Sequence, residues 1–259
     1  MTDLIVEQVG DPSRLREVAD FFVQVWGRND EGVPIGTEML RSLMHAGGMV
    51  SIASAGDILV GAAVLGRGMP GECYSYLAAA RPGYTDLGIG RALKLHQRDW
   101  ALAAGLHTMV WTFDPLVARN ARFNLVKLGA VAGEYEIAFY GEMHDTQNQG
   151  EIGDRLVAHW HLGSARVKAA VEGNLGEPPA PRGEVLGIGP DGVDFRWQDG
   201  DEAWVRVPGD IMTVRSRDRE QANAWRLATR EAFLGAFADG FLADGLAREG
   251  IYHLSRAGA

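Results

Sequence analysis

The segment Arg81-Pro-Gly-Tyr-Thr-Asp-Leu-Gly-Ile-Gly-Arg91 has the composition of a turn that receives an anion. Pro82 lacks a ladder N–H and restricts the residue before it, so a strand must end there and a helix is expected to begin near Gly88. A helix start exposes N–H groups and a partial positive charge, and glycines at 88 and 90 let the backbone approach a diphosphate without side-chain interference. Arg91 and Lys94 can add charge. The pattern is no Walker loop, because no Lys-Ser/Thr follows, and no dinucleotide fingerprint, because Leu93 stands at the third glycine position. By itself Gly-x-Gly is a weak signal, since it recurs at Gly187-Ile188-Gly189 inside an expected strand.

Other residues with chemical capacity carry plainer readings. Cys73 is the only cysteine and lies in an apolar strand, where a thiol is more often buried and inert than nucleophilic. His159-Trp-His161 would place two imidazoles on one face of a strand, but without a spaced third ligand they make no metal site, and no metal is expected.

Composition narrows the classes. At 46% hydrophobic and 23% charged the 259 residues are globular, and no run approaches the 18 apolar residues of a membrane helix. The net charge of −9 argues against nucleic acid as a partner. Against that background two stretches are locally basic: Arg81 to Asp99, where four cations outnumber Asp86 and Asp99, and Pro115 to Ala130, where Arg119, Arg122 and Lys127 meet no acid. The first residues lack the basic start and apolar run of a secretory signal, and a single cysteine suits a reducing compartment, so a cytoplasmic location is expected.

The elements that must position the turn follow from periodicity and punctuation. A short strand at Leu4 to Gln8 precedes a helix opened by Asp11-Pro12 and running to about Trp26, then a short helix from Thr37. A hairpin pairs Met49 to Ala55 with Ile58 to Leu65 around Gly56-Asp57. Strand Glu72 to Ala80, a helix ending at Gly105 and a buried strand Thr108 to Phe113 form a unit that demands a parallel crossover. Asp114-Pro115 opens another helix, closed by Gly129, and Val131 to Tyr140 and Arg155 to Leu162 read as strands. Gly173-Asn174 and Pro178-Pro-Ala-Pro181 break periodicity between 164 and 183. Beyond them, strands near Glu184, Val193, Ala203 and Ile251 and a helix striped by Trp225, Ala228, Ala232 and Ala236 form a smaller α+β unit. Phe195, Trp197, Trp204, Trp225, Phe233, Phe237 and Phe241 require a core there, and fewer than about 80 residues need support from the first half.

Thr85-x-x-Gly88-x-Gly90, the approach Leu77-Ala-Ala-Ala-Arg-Pro-Gly-Tyr84 and Ala121-Arg-Phe-Asn-Leu-Val-Lys-Leu-Gly-Ala130 resemble segments of the GNAT superfamily of acyl-CoA dependent N-acyltransferases. Trp111-Thr-Phe-Asp-Pro-Leu116 with Asn120-Ala121 resembles a bacterial subgroup of its acetyltransferases. The resemblance covers residues 1–163 in element order and 73–130 in motifs. It implies an α+β fold, a GNAT-like mixed central sheet flanked by helices, as an acyl-CoA binding domain over 1–163. A connection at 164–183 and the smaller α+β C-terminal unit at 184–259, packing on the first, complete the expected division.

By the same resemblance Leu77, Ala78 and Ala79 meet the pantetheine, Tyr84, Thr85, Asp86, Leu87, Gly88, Ile89, Gly90 and Arg91 surround the diphosphate, and Asn120, Phe123 and Asn124 lie along the arm. Acetyl-CoA or a related acyl-CoA is then the co-substrate and a small-molecule amine the acceptor. Thr85 departs from the family's Gln/Arg, and Leu125 stands where many members carry a tyrosine that protonates the departing thiolate; Tyr76, Tyr135, Tyr140 or a water could substitute. An amine must lose a proton before attack, which makes Asp114 the first candidate base and Glu72 the second, although Asp114 is equally an N-cap and Glu72 a solvated turn acid. The expected function is direct transfer of an acetyl or short acyl group to an amine. Its competitors are a non-catalytic acyl-CoA sensor and another acyl-CoA reaction such as decarboxylation.

Overall fold

The computed structural model describes residues 3–28, 32–84, 87–143 and 151–256. The chain divides into two compact units, whose boundary falls between Trp111 and Thr112.

Unit 1 contains β1 (Leu4–Gln8), α1 (Leu15–Trp26), α2 (Thr37–His45), β2 (Met49–Ala55), β3 (Ile58–Arg67), β4 (Glu72–Ala80), α3 (Ile89–Ala103) and most of β5 (Thr108–Phe113). Its strands run in the order β1-β2-β3-β4-β5, antiparallel except for the parallel β4/β5 pair. Asp11 caps a 3-10 turn, Pro12–Arg14, before α1 begins, because its carboxylate accepts the Ser13 N–H at 2.8 Å. The two faces bury different helices. Leu15, Val18, Phe21 and Phe22 of α1 pack with Val50, Ile52, Ala62 and Val64, and Leu77 and Ala79 join them. On the other face Ile89 and Leu93 of α3 pack with Ala53, Val60 and Ala63, joined by Ala80 and Tyr84. Gly61 on β3 allows that approach, since a Cβ there would lie 2.4 Å from Ile89 Cγ2.

Unit 2 contains α4 (Ala118–Arg122), β6 (Val131–Glu136), the ribbon β7 (Glu142–Met143) with β8 (Glu151–Ile152), β9 (Arg155–His161) and α5 (Ala165–Val171). It continues through β10 (Glu184–Ile188), β11 (Asp194–Asp199), β12 (Glu202–Arg206), α6 (Ile211–Arg217), α7 (Arg219–Ala238), β13 (Phe241–Leu246) and β14 (Ile251–Arg256). The main strands run β9-β6-β13-β14-β12-β11-β10. β13 pairs with β6 at Ala243↔Ala132, and the Tyr252 hydroxyl donates to Pro115 O at 2.7 Å. Unit 2 thus takes residues from both sides of the 164–183 segment. In its core Phe233 stacks on Tyr135 and meets Tyr252 edge to face, with Trp160, Trp204, Trp225 and Phe241 also buried.

Three local features differ from expectation. The helix after Asp114 changes pitch: α4 ends at Arg122 and Phe123–Lys127 is a π-helix, with Leu128 N–H bonded to Phe123 O five residues back. α5 forms inside the segment read as broken, because Ser164 Oγ accepts the Val167 N–H and caps it. β6 stops at Glu136, and Tyr140 lies beyond a turn where Ala138 takes a φ of 52° and its N–H meets Asp154 Oδ1 at 3.0 Å.

Candidate functional site

The glycine turn in unit 1 is built from the strand upward. β4 ends at Ala80; Arg81 is tied back by its own N–H to Val60 O and by Nε to Leu59 O, both at 2.8 Å, so the turn leaves the sheet at a fixed point. Tyr84 N–H closes on Arg81 O, and Leu87 N–H on Tyr84 O. Gly88 is the N-cap of α3 with a φ of 73°, a left-handed conformation that costs a side-chain-bearing residue about 1–2 kcal/mol. Gly88 itself has no side chain to cap the helix, and the first internal bond is Ala92 N–H to Gly88 O. The N–H groups of Ile89 and Gly90 precede that bond and have no intrahelical acceptor. A Cβ at Gly88 would meet no protein atom within 4 Å, so the turn leaves open space outside it. Thr85 and Asp86 lie outside the described residues.

Upstream, β4 changes neighbours. Its parallel pairing with β5 runs from Glu72↔Thr108 to Tyr74↔Val110, while its pairing with β3 continues to Ala80↔Gly61. Opposite Val64 and Leu65 the register shifts, Val64 facing Leu77 and Leu65 facing Ser75, so Tyr76 is the extra residue of a bulge. The bulge explains why Ser75 bonds side chains of α3 while Leu77, two residues on, packs toward α1. Tyr76 is 48% exposed, Ala78 exposed, and Leu77 and Ala79 half-buried.

The structure places the two candidate bases differently. Glu72 is half-buried at the start of β4, roughly 26 Å from Ala80 by strand rise but only about 10 Å from Ser75. Asp114, in unit 2, is 8% exposed. Its carboxylate accepts Leu116 N–H at 2.9 Å, Arg226 Nη1 at 2.6 Å, Arg226 Nη2 at 2.8 Å and Arg215 Nη2 at 2.8 Å. Burial alone would raise the Asp114 carboxyl, but the Arg226 bonds and charge, with those of Arg215, hold it well below the usual carboxylate range. An acid so held is an anchor for two arginines and a poor proton acceptor. Its spacing to the arginines, 101 and 112 residues, left no local trace for the sequence to report.

The remaining candidates separate clearly. Asn120 is exposed, Phe123 half-buried and Asn124 buried on the α4 and π-helical segment of unit 2, where Leu125 is fully buried. Tyr135 is raised above the phenol range by burial and by Asp154, to which its hydroxyl donates at 2.9 Å, so it is engaged internally. Tyr140 is 51% exposed. Burial lifts the Cys73 thiol to about 11, with Lys94 and Arg67 opposing, which keeps it a thiol at neutral pH. His159 stacks at 6.5 Å on His161 and meets Glu134 at 3.0 Å, and among the described residues no three His, Cys, Asp or Glu gather as metal ligands.

Sequence reasoning assigned Lys94 to the charge around the turn. The structure instead buries it: it is 5% exposed, with Nζ donating to Ser75 Oγ at 2.8 Å and lying 3.7 Å from the centre of the Trp111 ring. Ser75 Oγ in turn reaches Gln97 Oε1 at 3.2 Å. Lys94 and Gln97 are three apart on the α3 surface, a spacing that puts both on the face toward β4.

Residues 1–114 match the family model described as an acetyltransferase (GNAT) domain, a segment that ends three residues past unit 1. Through that segment the chain is similar to GNAT acetyltransferases. Its fold is shared with solved structures at low identity. One is the ribosomal-protein-S18-alanine N-acetyltransferase of Escherichia coli, 13% identical, covering 63% of this chain and 96% of its own, with a TM-score of 0.51. Another is yncA of Salmonella typhimurium, solved with its cofactor acetyl-CoA, 17% identical over 62% of this chain and 95% of that one, also at 0.51. An N-acetyltransferase of Staphylococcus aureus Mu50 is 12% identical over 62% and 99%, again at 0.51. No curated protein matches the chain significantly.

Proposed function

We propose that the protein transfers an acetyl or short acyl group from acyl-CoA to the amine of a small molecule. The observation that carries this reading is the start of α3 at the left-handed Gly88, where the first N–H groups have no intrahelical acceptor, after a strand whose edge from Ser75 onward runs past its last β5 pair at Tyr74. The diphosphate is assigned to the N–H groups of Ile89 and Gly90, with Tyr84, Thr85, Asp86, Leu87 and Arg91 around it. Leu77, Ala78 and Ala79 are assigned to the pantetheine, and the acyl group to the β4 edge at Ser75. The assignment of Asn120, Phe123 and Asn124 to the pantetheine arm stays with the family resemblance. Likewise the division into an acyl-CoA binding domain over 1–163, a connection at 164–183 and a smaller unit at 184–259 is a proposal.

In this reading the acceptor nitrogen attacks the thioester carbonyl, the C–S bond breaks and the thiolate takes up a proton. Alignment of the two reactants removes on the order of 7–11 kcal/mol of barrier. Glu72, about 10 Å from Ser75, takes the amine proton through water. Leu125 donates no proton, and a thiol of pKa about 8.5 leaves without a general acid.

Calorimetric titration with acetyl-CoA tests the site. Gly88→Val should fold and lose binding at least about ten-fold, because a branched side chain resists the left-handed conformation and fills the space outside it, whereas Gly88→Asn should bind more nearly like the wild type. Unchanged affinity in a folded Gly88→Val protein refutes the placement. Binding without release of free thiol across a panel of amines would favour the sensor reading, which the buried Leu125 supports.

A further inference from the structure

Lys94 has no role in the scheme above, yet it sits where the two parts of the proposed coenzyme site are joined. It lies one helical turn after Gly90 on α3, and its hydrogen-bond partner Ser75 is the first residue of β4 beyond the last β5 pair, immediately before the bulged Tyr76. A lysine only 5% exposed is costly unless it serves something, and a methylene chain of the same length would fill the space without that cost. We propose that Lys94 is a positioning residue: through Ser75 Oγ it fixes the edge of β4 that receives the acyl group relative to the end of α3 that receives the diphosphate. This rests on the acyl-CoA reading.

The surroundings give the device a pH dependence. Burial lowers Lys94 to about 7, and the one ionisable group opposing that shift is Cys73 on β4, itself within the field of Arg67 on β3 and Glu72 on β4. From β5 the neighbour is the face of Trp111, which favours the ammonium; from α3 it is Gln97, whose Nε2 is buried without a hydrogen-bond partner among the described residues. Above pH 7 the neutral amine donates to Ser75 and the chain Lys94–Ser75–Gln97 closes. Below it, the desolvation of a buried ammonium outweighs what the Trp111 face returns, and the charged group draws toward water and loosens the contact.

Acetyl-CoA affinity of the wild type, Lys94→Met and Lys94→Gln, measured by calorimetry at pH 6 and pH 8, tests the inference. At pH 8 Lys94→Met should bind about ten-fold more weakly, a displacement well under the 1 Å that can cost about 10²-fold. Lys94→Gln, which keeps an uncharged donor, should recover most of that loss. The wild type should weaken from pH 8 to pH 6, and neither variant should share that step. Wild-type affinity in Lys94→Met, equal losses in both variants, or a pH step that survives in both would each overturn the proposal. If Lys94→Met does not fold, Lys94→Gln decides it by the pH step alone. A wild type that binds no acetyl-CoA at all rejects the underlying reading and the inference with it, an outcome distinct from a binding wild type with an indifferent Lys94.

Discussion

Lys94 in unit 1 and Asp114 in unit 2 are 5% and 8% exposed, but their surroundings treat charge in opposite ways. Asp114 has more cationic partners than it needs, with Arg226 on both oxygens and Arg215 on one. Lys94 meets a hydroxyl and an indole face. The first arrangement secures ionisation; in the second, burial works against it and the neutral partners do not make up the loss. A buried carboxylate ringed by arginines joins distant pieces of chain, here β5's end to α6 and α7. A buried amine with only neutral partners is held near its own titration point, which suits a group whose state is meant to change.

The sharpest way to break this contrast is to empty the anionic position. Asp114→Ala leaves the guanidinium groups of Arg215 and Arg226 buried around a missing charge and should cost about 3–5 kcal/mol, read as a lowered urea midpoint. A loss under about 1 kcal/mol would show that the arginines find other acceptors and that Asp114 is no anchor. A smaller effect within the range from pH 7 to pH 9 is expected on the Lys94 side. Its folded value near 7 lies below the 10.5 of an exposed lysine, so between those values the unfolded chain binds the extra proton. Stability should therefore rise from pH 7 toward 10.5, by up to about 1.4 kcal/mol per pH unit, with the full penalty present below 7. Lys94→Met should remove that slope and be more stable than the wild type at pH 7, a result a urea series at pH 7, 8 and 9 can check. The gentlest test is acid. Asp114 is held below its ordinary 3.8, so its contribution is present above that value and is lost only as pH falls below it. Asp114→Asn should accordingly lose less stability between pH 5 and pH 3 than the wild type does.

What the sequence disclosed was what neighbours along the chain decide. Pro82, Gly88 and Gly105 punctuate a strand, a turn and a helix within 25 residues, and the α3 span and the parallel β4/β5 pair followed directly. The bulge at Tyr76 did not, because it depends on how Val64 and Leu65 face β4 across the sheet. Lys94 was misread for the same reason: its spacing from Gly90 is right for a diphosphate contact, and only the packed α3 face shows that it turns inward to Ser75. α5 went unseen because its seven residues lie between glycines and prolines that suggest a break. β13 was missed because Phe241-Leu-Ala-Asp-Gly-Leu246 alternates poorly, and its pairing to β6 joins residues 111 positions apart.

Gly61 carries a consequence for how such a site can drift. It contacts no proposed ligand and lies on β3, yet the room left by its missing side chain sets how closely Ile89 and Leu93 seat α3 on the sheet. A single added methyl there would lift the helix end bearing Gly88 and Gly90 while every residue of the turn stayed as it is. On the proposed reading, coenzyme affinity would be heritable at a position that no inspection of the binding loop would flag, and a lineage could retune it with the loop sequence held constant.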